Sequence, residues 1–339
     1  MANCNKLFID FIDAITPSNK QLQDMKKSRE ALESKIEKAF KEQLGITISW
    51  CTQGSTAKDF RTIIIKADGT YDSDRGAYLS KKPEKTGKEV QEILLKAVKD
   101  HTDGGAKHLF KCIRIIYAGA YNIDMVIYYE VAAETGAYLA RKDGEWVKDD
   151  PTQLIEWLKK YKDDNGQLIR NIRALKAWSS ELSGKFRMPN GAALAIWAAK
   201  NFGSGVKDRD DKSLLQILEA IQTTVWFNCS CTSPVEPFDN LLEKMTDDDV
   251  KKFRDALDSF IKDARVAVNE PNQLKSSELW IKHLGGRFPK GEDADIDKRE
   301  ASLLATAGFV KNQSAKLNSQ GKINPYEGVQ HKEHRNYGS

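Results

Sequence analysis

From residue 18 to about residue 44, apolar side chains recur at helical spacing: Leu22, Met25, Leu32, Ile36 and Phe40 stand among charged and polar neighbours. The pattern predicts a long amphipathic helix, opened by Ser18-Asn19-Lys20 and closed by Gly45. The alternating, β-branched run Ile46-Thr47-Ile48-Ser49-Trp50 then reads as a strand. Residues 71–79 read as a second strand. Residues 83–99 read as a helix through Val90, Ile93, Leu94 and Val98, and 113–117 and 123–131 as a strand pair punctuated by Gly119 and Asn122. From residue 151 onward nearly every periodic segment is helical: 153–162, 167–180, 192–202, 212–227, 247–269 and 274–284. Gly285-Gly286-Arg287-Phe288-Pro289 interrupts the pattern. After about residue 311 the chain is rich in Asn, Gln, Ser, Gly, Lys and His, which predicts a weakly ordered tail. The expected class is α+β. A mixed-sheet lobe with the long N-terminal helix occupies 1–165, a helical lobe 166–310 and a flexible tail 311–339, and the long helix spans both lobes.

Composition narrows the options without naming a function. The 339 residues are 40% hydrophobic and 30% charged, enough for a sizeable core in a soluble protein. No apolar run approaches membrane-spanning length, and Met1-Ala2-Asn3-Cys4-Asn5-Lys6 has no basic region ahead of an apolar stretch, so the expected location is cytoplasmic. With 53 basic and 49 acidic residues the net charge is +4, too balanced for a strong polyanion binder. The five cysteines argue against a disulfide framework. Cys229-x-Cys231 is at most half a zinc site, with no second pair to complete it.

The chemistry concentrates in the first half. Asp72 and Asp74 lie two residues apart on a predicted strand, so both point to one face. Paired carboxylates repel each other unless a cation lies between them, and Mg2+ favours such oxygen ligands together with substrate phosphates. D-x-D by itself is a common accident. Its setting is less common: Gly54-Ser55 follows a strand, where amides can cradle phosphate, and Asp124 sits inside the apolar run Ile123-Asp124-Met125-Val126-Ile127. Further on, Arg170 to Trp178 form a basic amphipathic helix that places Arg173 and Lys176 three residues apart. A lysine there can neutralise a triphosphate and favour its leaving group. Phe60, beside the Gly-Ser turn, is either a ring for stacking on a base or a core aromatic.

Gln53-Gly54-Ser55, Asp72-Ser73-Asp74-Arg75-Gly76-Ala77-Tyr78, the Asp124 strand and Leu175-Lys176-Ala177-Trp178 together resemble the bacterial CD-NTase family, relatives of cyclic GMP-AMP synthase and oligoadenylate synthase. Pro234-Val235-Glu236-Pro237-Phe238-Asp239-Asn240 resembles that family's Pro-rich loop near the nucleotide, and Leu284 to Pro289 its closing motif. The similarity spans roughly residues 20 to 290. It implies a two-lobed polymerase-β-like nucleotidyltransferase fold. It also implies that Asp72, Asp74 and Asp124 hold two Mg2+ (or Mn2+) ions, that Gly54 and Ser55 contact the triphosphate, and that Lys176, with Arg173 beside it, meets the outer phosphates. Asn190 stands where relatives carry a phosphate-contacting serine. Gln53, Phe60 and Asp239 are candidates for base or ribose contacts.

The implied activity is synthesis of a cyclic di- or trinucleotide from ATP and/or other nucleoside triphosphates, with release of pyrophosphate, in bacterial anti-phage (CBASS) signalling. Ancillary proteins that conjugate the C-terminus are implied partners. A zinc insert is absent from the sequence, so strong DNA binding is not expected; neither is a membrane partner, and a monomer is. Two other readings remain open: a linear oligoadenylate synthase or RNA-tailing enzyme, and a catalytically silent nucleotide-binding protein.

Overall fold

The computed structural model describes residues 3–131, 136–312 and 314–330. Two helices open the chain, α1 (Asn5–Ile15) and α2 (Asn19–Leu44), separated at Thr16-Pro17-Ser18. Proline lacks the backbone N–H a continuous helix needs, so the break falls there. Ser18 then caps α2 through a reciprocal pair with Gln21, and Gly45 ends it in the left-handed conformation. Strands β1 (Ile48–Gln53) and β2 (Tyr71–Leu79) follow, joined by two short 3-10 turns at Gly54–Thr56 and Lys58–Phe60. After α3 (Gly87–Val98) come β3 (Ala106–His108), β4 (Ile113–Tyr117), β5 (Tyr121–Glu130), β6 (Ala137–Ala140) and β7 (Trp146–Lys148). These seven strands make one sheet with the order β1-β2-β5-β4-β3, extended by β6 on β5 and β7 on β6.

One pairing decides the geometry of the site. β2 and β5 run parallel, with Asp74 opposite Asp124 and Asp72 opposite Asn122. All other pairs in this sheet are antiparallel. A parallel pair needs a crossover, here supplied by α3, β3 and β4. Side chains alternate along β2: Tyr71 and Ser73 are buried, whereas Asp72 and Asp74 face the opposite side. α2 and α3 cover the buried face with Met25, Leu32, Ile36, Phe40, Val90 and Leu94, against Ile113, Ile115, Ile123 and Met125 of the sheet.

The second lobe is helical: α4 (Pro151–Lys159), α5 (Gln167–Glu181), α6 (Gly191–Asn201), α7 (Asp210–Phe227), α8 (Asp247–Asn269) and α9 (Gln273–Leu284). Its core gathers Trp178, Trp197, Phe253, Phe260, Trp280 and Phe288. α1 belongs to this core, because Phe8 packs edge-on against Trp280 and Phe288 at 4.9 and 5.0 Å. Burying one such side chain contributes roughly 1.5–3 kcal/mol, so α1, with Phe8 and Phe11 inside, is an integral part of the helical lobe. The N-terminal spine thus reaches both lobes as two helices: α1 packs with the second lobe and α2 with the sheet. Leu158 of α4 also lies in the helical core, so this lobe draws on residues on both sides of the expected division at 165.

Backbone contacts stitch the lobes together beside the spine. Ile65 N–H donates to Ile15 O at 2.6 Å, Arg287 Nη1 to Ile65 O at 2.6 Å, and Ala67 N–H to Ser180 Oγ at 2.8 Å. Elsewhere Lys148 of β7 and Glu236 form a 2.7 Å ion pair across the lobes.

Two elements follow where the sequence pattern indicated none. α10 (Ile296–Lys311) leaves Leu303, Leu304 and Val310 exposed and so has no single apolar stripe. β8 (Lys316–Leu317), β9 (Ile323–Asn324) and β10 (Val329–Gln330) form a small antiparallel sheet within the stretch expected to be a weakly ordered tail. The remainder of that tail, 331–339, with the C-terminal conjugation expected there, lies outside the described residues.

Candidate active site

The face of β2 that carries Asp72 and Asp74 looks onto a cleft of about 330 Å³ between the lobes. Ser55, Lys66 and Asp72 line it from the sheet side, and Lys176, Ser179, Ser180, Ser183 and Gly191 from the helical side. Ile63, Ile64 and Leu194 supply its apolar walls.

The turn after β1 is built for close approach. Gly54 has φ +61°, and a Cβ there would lie 2.3 Å from Asp74 Oδ2. Only glycine satisfies both conditions. The turn is held by Thr56 Oγ1 donating to Gln53 O at 3.1 Å, and Thr62 N–H donating to Ser55 O at 2.9 Å.

The three carboxylates differ in their surroundings. Asp72 accepts from Lys66 and, at 2.9 Å, from Asn122 Nδ2. Burial pushes its carboxyl up, but these two donors more than offset that and hold it below the usual range. Asp124 is 7% exposed and takes both donors of Arg114, at 2.8 and 2.7 Å. Asp74 is pushed up to about 7, first by burial and then by the charges of Asp124 and Asp72. Lys176 donates to Thr62 O and Oγ1 at 3.2 and 2.9 Å, and burial brings its ammonium down to about 8. Gly191, the first residue of α6, allows the lysine stem through: a Cβ would lie 3.0 Å from Lys176 Cε.

Ser55, Asp72 and Lys176 therefore line one cleft, with Gly54 against Asp74 and Asp124 opposite Asp74 in the strand register beside it. The other expected contacts lie elsewhere. Gln53 is 4% exposed and donates to Tyr128 OH at 3.2 Å, a buried position opposite Asp74 in the β1–β2 register rather than an open surface for a base. Phe60 is 1% exposed and packs in the helical core, so the core-aromatic alternative is the one the fold realises. Arg173 donates to Arg61 O at 2.9 Å and does not line the cleft. Asn190 is a helix cap: its Oδ1 accepts from Ala193 N–H at 2.9 Å and its Nδ2 donates to Leu241 O at 3.0 Å. Asp239 is exposed on the loop that carries Glu236, and its carbonyl accepts from Ser233 N–H.

Several cleft residues escaped the sequence reading. Ser179 and Ser180 follow Lys176 at three and four residues on one face of α5, a pairing the spacing could have revealed, and Ser183 lies in the turn just beyond the helix. Lys66 and Arg114 are recognisable only once strand register is known. All five cysteines are free, and no group of three or more His, Cys, Asp or Glu set to hold a metal ion occurs among the described residues.

Residues 48–128 match the family model described as the nucleotidyltransferase domain of DncV-like cyclic GMP-AMP synthases. That segment carries the chain's likeness to the bacterial CD-NTases. The chain is 25% identical over 173 residues to a cyclic AMP-AMP-AMP synthase of an Acinetobacter species, a match covering 48% of this chain and 50% of that protein. It is 26% identical over 158 residues to a probable cyclic AMP-AMP-GMP nucleotide synthase of Salmonella paratyphi B, covering 44% and 41%. The chain thus spans half or less of the curated relatives it matches. Its fold superimposes on the Vibrio cholerae cyclic AMP-GMP synthase DncV with a TM-score of 0.73 at 15% identity, covering 86% of this chain and 98% of that one. The GTP complex of CdnG from Bradyrhizobium diazoefficiens gives 0.69 at 12% identity, covering 83% and 95%. The chain has the two-lobed α+β nucleotidyltransferase fold. No described helix is long and apolar enough to cross a membrane.

Proposed function

We propose that this protein is a bacterial CD-NTase that joins nucleoside triphosphates, ATP among them, into a cyclic di- or trinucleotide and releases pyrophosphate. The observation that carries the reading is the register that sets Asp74 opposite Asp124, with Gly54 against Asp74 and with Asp72, Ser55 and Lys176 lining the adjoining cleft. The names of its relatives, makers of cyclic AMP-AMP-AMP and cyclic AMP-AMP-GMP, support a cyclic product containing adenosine.

The triphosphate rests on the 54–56 turn, where backbone N–H groups and the Ser55 hydroxyl meet its oxygens. Lys176 neutralises the outer phosphates and hence the departing pyrophosphate. A ribose hydroxyl of a second nucleotide attacks the α-phosphorus, its proton passes to a carboxylate oxygen, and the α–β anhydride bond breaks. Repetition on the linear intermediate closes the ring. The chemistry of the carboxylates suits a divalent cation, with Lys66 and Arg114 pairing two of them in its absence: the donors are all oxygen, and the charges of Asp124 and Asp72 press on Asp74, only partly countered by Lys176 and Arg114. Two Mg2+ or Mn2+ ions held by Asp72, Asp74 and Asp124 would activate the hydroxyl and stabilise the charge on the leaving oxygen. In the cell, such a product would act as a second messenger in anti-phage signalling.

The test is incubation with labelled ATP, GTP, CTP and UTP and Mg2+ or Mn2+, followed by phosphatase and mass spectrometry. A phosphatase-resistant product with the mass of a ring is expected. A product with free phosphate ends would move the reading to a linear synthase. No product under any mixture, with nucleotide binding intact, would leave a silent binding protein.

A further inference from the structure

Two of the three carboxylates already hold cations supplied by the chain itself. Arg114 lies on β4 opposite Asp124, and its Nε and Nη2 donate to the two Asp124 oxygens at 2.8 and 2.7 Å. The same Nη2 stands 3.9 Å from Asp72 Oδ2. Lys66, on the segment leading into β2, donates to that Oδ2, while Asn122 donates to Oδ1 at 2.9 Å. A fork of this kind occupies both carboxylate oxygens. A cation ligated by Asp124 therefore shares these oxygens with the Arg114 guanidinium and meets its positive charge at close range. Among the described residues Asp74 makes no ion pair, so the paired positions flank an unpaired one.

We propose that Arg114 and Lys66 are exchangeable counter-charges that keep the triad from binding a divalent cation until a triphosphate arrives. The inference rests on the proposed function, since it concerns the same carboxylates. A metal ion entering alone would face these two positive groups with no new partner for them, at distances where charges interact strongly. A triphosphate changes that balance. Lys66 lines the same cleft as Ser55 and Lys176, so phosphate oxygens docked there lie within its reach. Arg114 is 30% exposed at its side chain and borders the same face, where it can turn toward the phosphates. Metal and nucleotide then strengthen each other's binding by the same factor, as reciprocity requires. Arg114 and Lys66 act here as positioning residues.

The test is Mn2+ binding, read by loss of the free-ion electron paramagnetic resonance signal, with and without an ATP analogue carrying an α,β-methylene bridge, each titration corrected for the Mn2+ that the analogue binds in a protein-free control. For the unaltered protein, the analogue is expected to tighten Mn2+ binding at least about tenfold. Arg114→Met is expected to bind Mn2+ alone at least about tenfold more tightly and to lose most of the dependence on the analogue. Lys66→Met, in a loop where the fold is not at stake, should shift in the same direction by a smaller factor. Arg114→Lys, which keeps charge but not the fork, should fall between. A merely structural Arg114 would do the reverse, since its loss would loosen the site and weaken Mn2+ binding. The inference is overturned if Arg114→Met and Lys66→Met bind Mn2+ no more tightly than the parent, or if the parent binds Mn2+ equally well without the analogue. If the parent binds no Mn2+ even with the analogue, or Asp124→Asn binds it as the parent does, the metal reading of the triad fails and takes the inference with it.

Discussion

Gly54→Ala and Gly45→Ala form a matched pair that isolates the carboxylate site. Both glycines are left-handed, at φ +61° and +60°. An L-residue in that conformation costs roughly 1–2 kcal/mol. At Gly45, the C-cap of α2, nothing lies within 4 Å of the added Cβ, so the cost ends there. For a chain of this size 1 kcal/mol corresponds to about 1–2 °C in Tm. At Gly54 the same methyl would stand 2.3 Å from Asp74 Oδ2 and 3.1 Å from its Cγ. Contact between carbon and oxygen needs about 1 Å more, so either the turn or Asp74 must move by that amount. A displacement of ~1 Å at a reacting centre costs on the order of 100-fold in rate. The two variants should therefore melt within a few degrees of each other. Product formation at saturating nucleotide should stay near the parent's level for Gly45→Ala and fall at least about 100-fold for Gly54→Ala. If Gly54→Ala retains activity within about threefold of Gly45→Ala, Asp74 does not act where the cleft places it, and the argument fails.

Three more outcomes are open to measurement. Burial brings Lys176 down to about 8 against the pull of Asp74, so in the free protein it loses its charge as pH rises through that value. Metal-free affinity for a non-hydrolysable ATP analogue should fall by up to about tenfold over the next pH unit, and Lys176→Met should remove the slope in isothermal calorimetry. Asp210 is fully buried, paired with Arg170 and bonded to Gln167; Asp210→Ala strands that guanidinium and should cost about 3–5 kcal/mol in denaturant unfolding. His283 stacks on Phe260 and contacts Asp263, and burial holds its imidazole below its usual range despite that carboxylate. The unfolded chain therefore takes up the proton first, stability should decline as pH falls below about 6.5, and His283→Phe should flatten the decline in thermal melts.

Much of the fold was legible because local rules and burial agree. Ser18 and Gly45 bound α2 as their chemistry demands, and the period of two along Asp72-Ser73-Asp74 put both acids on one face. α1 went unread although Leu7, Phe8, Phe11, Ile12 and Ile15 carry a helical spacing, because that run is short and its packing partners lie far along the chain. Strands β3, β6 and β7 are three or four residues long, too brief for periodicity to separate from loop. Within the site, residue type and spacing identified the groups that carry charge on their own element. Which residue faces Asp124, and whether Gln53 and Phe60 point to the cleft or to the core, depends on strand register and lobe packing, which residue type and local spacing do not encode.

The placement of α1 sets an order of assembly. Cys4 meets Ser276 across 272 residues, and Phe8 meets Phe288. During synthesis the sheet lobe, whose strands and covering helices all precede residue 150, can close early. α5 and α7 can cover part of α1 as they emerge, but the partners of Phe8 arrive only with α9 and the Phe288 turn. The nascent chain thus carries Leu7, Phe8, Phe11, Ile12 and Ile15 ahead of every surface that will shield them, and truncation before Phe288 should leave part of that face open to chaperones.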